Sequence, residues 1–231
     1  MFKVKKDKID HRDMIYSFDK NKQIKANVDL RKYASPIEDQ LHLGSCVGQA
    51  VVGAYELMLN KLCINEFTDL SRLFVYYNAR ALDNAVMEDV GSYTRDGIKA
   101  IHKWGVCSER IWPYLIDKFA SPPSLDAYLD ATKRIVNTYY RLITLDDMLR
   151  ALDIGYPIVT SMNVYNTFYE LENPGNATLK MPTKTDNIIG GHAVVLVGYN
   201  LTNQVFITRN SFGELWGDKG YFYTPFDYVE K

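Results

Sequence analysis

Four runs of β character, PIVTSMNVY, HAVVLVGY, QVFITRN and GYFYTPF, all fall after residue 156, whereas apolar positions before residue 105 recur at helical spacing. A helical first half followed by a β-rich second half reads as an α+β architecture. Val47, Ala50, Val51, Ala54, Met58 and Leu59 step by three and four residues, which predicts a helix opening at about Ser45. Further helices are predicted over 71–80, over 95–104 with Gly105 as its stop, and over 144–152 with Thr144 as N-cap. The pair Pro122-Pro123 marks a boundary between lobes. The expected organisation is an N-terminal arm over 1–27, a helical lobe over 28–123 and a β-rich lobe over 124–231.

With 47% hydrophobic and 24% charged residues among 231, the chain has the makeup of a soluble globular protein with a sizeable core. No stretch approaches the roughly 18 apolar residues of a membrane helix, and the basic N-terminus lacks the apolar run of a secretory signal. An intracellular protein without membrane insertion is expected, with carriage in a virion or secretion by another route left open. A net charge of −1 argues against nucleic acid as partner. The charge is uneven: residues 1–32 hold ten Lys/Arg and five Asp/Glu, so a basic arm precedes an acidic body. Cys46, Cys63 and Cys107 form neither a disulfide framework nor a zinc-binding spacing, which fits a reducing compartment and calls for no metal. Two glycosylation sequons, at Asn176 and Asn200, read as chance.

Cys46 lies in the first turn of the predicted helix, in QLHLGSCVGQ. A helix N-terminus and an adjacent imidazole both lower a thiol pKa from its free value of about 8.5, so the question is which histidine reaches it. His11 sits in the arm, His102 on a solvated helix face, and His42 precedes the turn and points away. His192 opens the strand GGHAVVLVGY behind two glycines. If Tyr199 pairs with Val205 across the following turn, Val194 faces Asn210, and Asn210 lies diagonal to His192 on the same face. Any even register preserves that relation and any odd one destroys it. The carboxamide would then fix the imidazole while the ring faces the thiol, giving a Cys-His-Asn set.

The motifs GSCVGQA, GGHAVVLVGY and NSFGELWGDKGYF, in that order and with His192 placed 146 residues after Cys46, resemble those of the papain family of cysteine proteases over residues 28–227. The resemblance implies a two-lobed fold with the site between a helical lobe and a β-barrel-like lobe. It implies Cys46 as nucleophile, His192 as acid and base, Asn210 as its orienting partner, and Gln40 with the Cys46 N–H as oxyanion hole. Phe212 holds the place of a tryptophan that shields the His-Asn bond, and Trp216 that of a second one on the leaving-group side. Gly91, Ser92 and Gly191 would join Trp216 in contacting substrate. The chain departs from the family pattern at Leu43, where a disulfide cysteine is missing, and at Val47, where an aromatic residue is missing. Only Gly91 remains of a glycine pair, and the chain ends before one wall of the main specificity pocket.

The expected function is a cysteine endopeptidase acting on protein or peptide substrates without a cofactor. Exopeptidase members of the family block the cleft with a histidine-bearing insertion, and only His102 occurs between His42 and His192. A non-catalytic peptide-binding protein on the same scaffold, or an acyl-transferring enzyme with the same triad, is the alternative. The 27-residue arm is too short to fold alone as a prodomain. It is expected either to lie across the acidic body and the cleft, limiting access or being trimmed, or to be a disordered tail.

Overall fold

The computed structural model describes residues 2–7, 10–62, 69–172 and 177–229. Helix α1 (Cys46–Leu62) is its pillar: every residue from Cys46 to Ala54 is buried, and so are Glu56 and Leu57. A helix covered on all sides needs neighbours on all sides. On one flank stand α2 (Arg72–Leu82) and α3 (Thr94–Lys103). Glycines set how near they come, since a Cβ on Gly48 would lie 2.7 Å from the Arg72 carbonyl oxygen and one on Gly97 would lie 2.5 Å from Val47 Cγ1.

The other flank is an antiparallel sheet of β1 (Asn27–Asp29), β2 (Ile158–Tyr165), β3 (Ile188–Asn200), β4 (Val205–Arg209) and β5 (Tyr221–Pro225), ordered β1-β3-β4-β5 with β2 also paired to β3. The long β3 is buried from His192 to Tyr199 and packs on α1. Helix α5 (Leu145–Asp153) begins at Thr144 as the sequence predicts, closed by a capping box in which the Thr144 side chain accepts from Asp147 N–H and the Asp147 carboxylate accepts from Thr144 N–H. The short α4 (Leu125–Ala131) has no counterpart in the sequence reading, because fewer than two turns give no readable period. Its Ala127 and Ala131 pack on Phe74 and Cys107 of the helical half, while β1, which precedes α1, joins the sheet. The chain therefore passes between the halves more than once. A last helix, α6 (Phe226–Val229), closes the described chain.

The β3/β4 register differs from expectation near the turn and meets it near the site. Tyr199 pairs with Phe206, one residue off the predicted partner. The register then shifts between Leu196 and Gly198, so that Leu196 faces Thr208 and Val195 faces Arg209. That extra residue restores the even register on which His192 and Asn210 depend. Gly198 lies at the shift, and a Cβ there would stand 2.2 Å from the Val28 carbonyl oxygen, so β1 can approach only a glycine.

Two buried arginines tie these parts together. Arg72 Nη2 pairs with Glu56 at 3.1 Å and Glu38 at 2.8 Å, and its Nη1 pairs with Asp69 at 2.7 Å. Arg209 donates to the carbonyl oxygens of Ser35 and Pro36, both at 2.6 Å. Together they fix the segment that leads to Gln40. Among the described residues no helix is long and apolar enough to cross a membrane, and no group of three His, Cys, Asp or Glu side chains is placed to hold a metal ion.

Candidate active site

Alternation along β3 and β4 turns His192 and Asn210 to one face, where His192 Nε2 lies 2.7 Å from Asn210 Oδ1. An amide oxygen can only accept, so Nε2 carries the proton and Nδ1 the lone pair. Nδ1 makes no hydrogen bond to any described residue. Phe212 stacks on the imidazole at 5.0 Å and 28°, and Trp216 meets Phe212 edge-on at 5.6 Å. Phe168 stacks on Trp216 at 5.5 Å. This aromatic wall keeps water from the His-Asn bond, where a low local dielectric strengthens it. Burial pushes the His192 imidazole down to about 4, against the upward pull of Asn210.

Cys46 opens α1 and is fully buried. Burial pushes its thiol up from the ordinary value, while the backbone N–H groups of Ala193, Val47 and Lys3 turned toward the sulfur favour the thiolate. The Ala193 N–H puts the sulfur beside the residue that follows His192. With the thiol raised and the imidazole lowered, both groups are neutral near pH 7 in this arrangement. No hydrogen bond joins them.

Gln40 is buried and doubly held. Its Oε1 accepts from Ser211 Oγ at 2.7 Å, and its Nε2 donates to the Leu43 carbonyl at 2.9 Å. A carboxamide has two N–H bonds, so one remains for a developing oxyanion. Its backbone is held as well, N–H to the Ser211 carbonyl at 2.9 Å and carbonyl to the Tyr114 hydroxyl at 3.0 Å. The same hydroxyl lies 2.5 Å from Ser45 Oγ. Sequence reasoning missed Ser211 and Tyr114; the adjacency of Ser211 to Asn210 was the one available clue.

Residues 2–5 lie against Gly191 on one side and Ser92 on the other. Val4 N–H donates to the Gly191 carbonyl at 3.0 Å, and Lys5 N–H to the Ser92 carbonyl at 3.1 Å. Phe2 stands edge-on to His192 at 5.4 Å and 6.0 Å from Phe212. Gly91 has φ +69°, and a Cβ on it would lie 1.9 Å from the Lys3 carbonyl oxygen. Gly91, Ser92 and Gly191 thus all meet this segment, whereas Trp216 packs behind Phe212 and Phe168. Ion pairs follow the charge asymmetry of the sequence: Lys3 to Asp89 and Lys5 to Asp83, each at 2.6 Å, and Lys25 to Asp153 at 3.1 Å. His11, His42 and His102 are exposed, and His102 Nδ1 lies 2.7 Å from the Val136 carbonyl. Cys46 and Cys107 are free thiols, and Cys63 lies outside the described residues.

The family model described as papain family cysteine protease matches residues 24–228. The chain belongs to that family. An uncharacterized peptidase C1-like protein of Acanthamoeba polyphaga mimivirus is 37% identical to this papain-family chain over 251 residues, an alignment covering 97% of this chain and 81% of the viral one. Among solved structures, xylellain, a cysteine protease from Xylella fastidiosa, superposes with a TM-score of 0.92 at 32% identity, covering 100% of this chain and 91% of its own. Bromelain from Ananas comosus shares the fold at a TM-score of 0.67 and 21% identity, covering 87% of this chain and 90% of its own. The α+β, papain-like architecture expected from the sequence is the one found, and the chain is a papain-like cysteine protease.

Proposed function

We propose that this protein is an endopeptidase whose residues 2–5 hold the cleft shut until they are displaced. The observation that carries the catalytic reading is the buried 2.7 Å bond from His192 Nε2 to Asn210 Oδ1, which leaves Nδ1 unprotonated and without a partner among the described residues. Once water reaches the groove, the desolvation that holds both groups neutral is relieved, and the Cys46 proton passes to Nδ1. The thiolate attacks the peptide carbonyl carbon to form a C–S bond, and the free Gln40 N–H with the Cys46 backbone N–H takes the oxyanion. Nδ1–H then protonates the leaving amine as the C–N bond breaks. Water, deprotonated by the same nitrogen, cleaves the thioester and restores the thiol.

Internal cleavage is favoured because the one histidine between His42 and His192, His102, is bonded to Val136 on the exposed end of α3. The arm reading rests on the two backbone hydrogen bonds, the Lys3 and Lys5 ion pairs and the Phe2 ring against His192. A test is hydrolysis of an internally quenched peptide by the full chain carrying Phe2→Ala, which removes the ring packed on His192, and by the same chain carrying Cys46→Ala as well. Turnover lost completely in the double variant supports the reading; equal turnover in both overturns it.

A further inference from the structure

The Lys3 side chain lies in a slot beside the nucleophile whose walls are two glycine backbones. A Cβ on Gly44 would stand 2.8 Å from Lys3 Cδ, and one on Gly91 would stand 2.8 Å from Lys3 Cβ. The slot ends at Asp89, where Lys3 Nζ lies 2.6 Å from Oδ2 and 2.7 Å from the Asp89 carbonyl oxygen. The carboxylate is held in place independently of its guest. Oδ1 accepts from Gly44 N–H at 2.9 Å and from the Tyr76 hydroxyl at 2.6 Å, which leaves Oδ2 for a cation. Tyr76 is itself fixed: its hydroxyl accepts from Gly91 N–H at 3.2 Å, and the Arg80 guanidinium lies 4.0 Å over its ring. Lys5 meets Asp83 at the same 2.6 Å, but that carboxylate accepts no second hydrogen bond from the described residues.

Which substrate residue would enter the slot follows from the mechanism. The leaving amine must stand within reach of His192 Nδ1, so the leaving-group side of the groove is the imidazole side, where Phe2 packs. The slot is walled by Gly44 and Gly91 and is filled by the next residue along the arm, Lys3, rather than by Phe2. We infer that it receives the side chain of the residue contributing the acyl carbon, and that Asp89 makes the enzyme selective for lysine or arginine there. The inference rests on the protease reading above. Asp89 is half-buried, and an apolar side chain in the slot would cover its Oδ2 without pairing it, so selectivity comes from rejection as well as attraction.

The test compares two fluorogenic peptidyl amides that differ only in the residue before the scissile amide, lysine in one and norleucine in the other. Both are offered to the full chain and to Asp89→Asn, with thermal midpoints recorded to confirm folding. Because both substrates compete with the same arm, the ratio of their kcat/KM values is independent of how far the arm is displaced. The wild-type ratio is expected on the order of 10- to 100-fold in favour of lysine, the discrimination a charge-assisted hydrogen bond supplies, and is expected to fall below about threefold in Asp89→Asn. A wild-type ratio near one, or an undiminished ratio in a folded Asp89→Asn, overturns the assignment of the slot while leaving the protease reading intact. The wild-type ratio decides the matter even if Asp89→Asn does not fold. Hydrolysis of neither amide by folded wild type or by a folded chain whose arm is loosened by Phe2→Ala overturns the protease reading, and this inference with it.

Discussion

Phe2 is the part of the arm whose removal changes least else. Its ring lies 5.4 Å from His192, 5.7 Å from Phe168, 6.0 Å from Phe212 and 6.2 Å from Tyr169, on the rim of the aromatic wall. Full burial of a phenylalanine side chain is worth about 1.5–3 kcal/mol, and a well-formed aromatic contact adds about 0.5–1.5 kcal/mol. Phe2 remains partly exposed, so Phe2→Ala is expected to weaken the seated arm by about 2 kcal/mol, equivalent to a roughly 30-fold larger open fraction. Cys46 is fully buried while the arm is seated, so its alkylation should report that fraction. The assay is the rate of iodoacetamide addition at pH 7, followed by intact mass on the full chain and mapped to Cys46. An increase of about 30-fold is expected. A rate within threefold of wild type, at an unchanged thermal midpoint, would refute the idea that residues 2–5 guard the thiol.

Other outcomes follow from the buried charges. His192 is held down to about 4, whereas a histidine in the unfolded chain titrates near 6.5. Between those values the unfolded chain binds the additional proton, so stability is complete above about pH 6.5 and falls as pH drops toward 4, by at most about 1.4 kcal/mol per pH unit from this group. Urea unfolding of wild type and His192→Gln at stepped pH checks this, and a variant curve as steep as wild type over that window contradicts it. Glu56→Ala strips the fully buried Arg72 of one carboxylate and Leu70 N–H of its acceptor, and should cost about 3 kcal/mol in urea unfolding. A loss below about 1 kcal/mol would mean that Glu38 and Asp69 suffice for Arg72.

The sequence showed what depends on short periods and hid what depends on distant contacts. A period of two placed His192 and Asn210 on one face, and the helical stripe placed Cys46 at the head of α1, because each needs only the local backbone. The register shift near Val197 was not legible: it answers to the approach of β1 at Gly198, a contact between segments 170 residues apart in the chain. The charge asymmetry raised the expectation that arm and body attract, but nothing in MFKVK says that Lys3 would reach Asp89. Asp89 itself gives no signal in sequence, since its role comes from Gly44, Tyr76 and Gly91 meeting around it. Gln40 was found through the motif, yet the residues that aim it, Ser211 and Tyr114, come from separate loops.

The central claim is that Cys46 is the nucleophile. Incubation of the full chain with a thiol-reactive peptidyl epoxide, followed by intact mass measurement and peptide mapping, tests it most directly. A single adduct is expected, on Cys46, absent from Cys46→Ala and with Cys107 unmodified. A protein left without adduct after the arm has been loosened by Phe2→Ala, or one labelled at a cysteine other than Cys46, would contradict it.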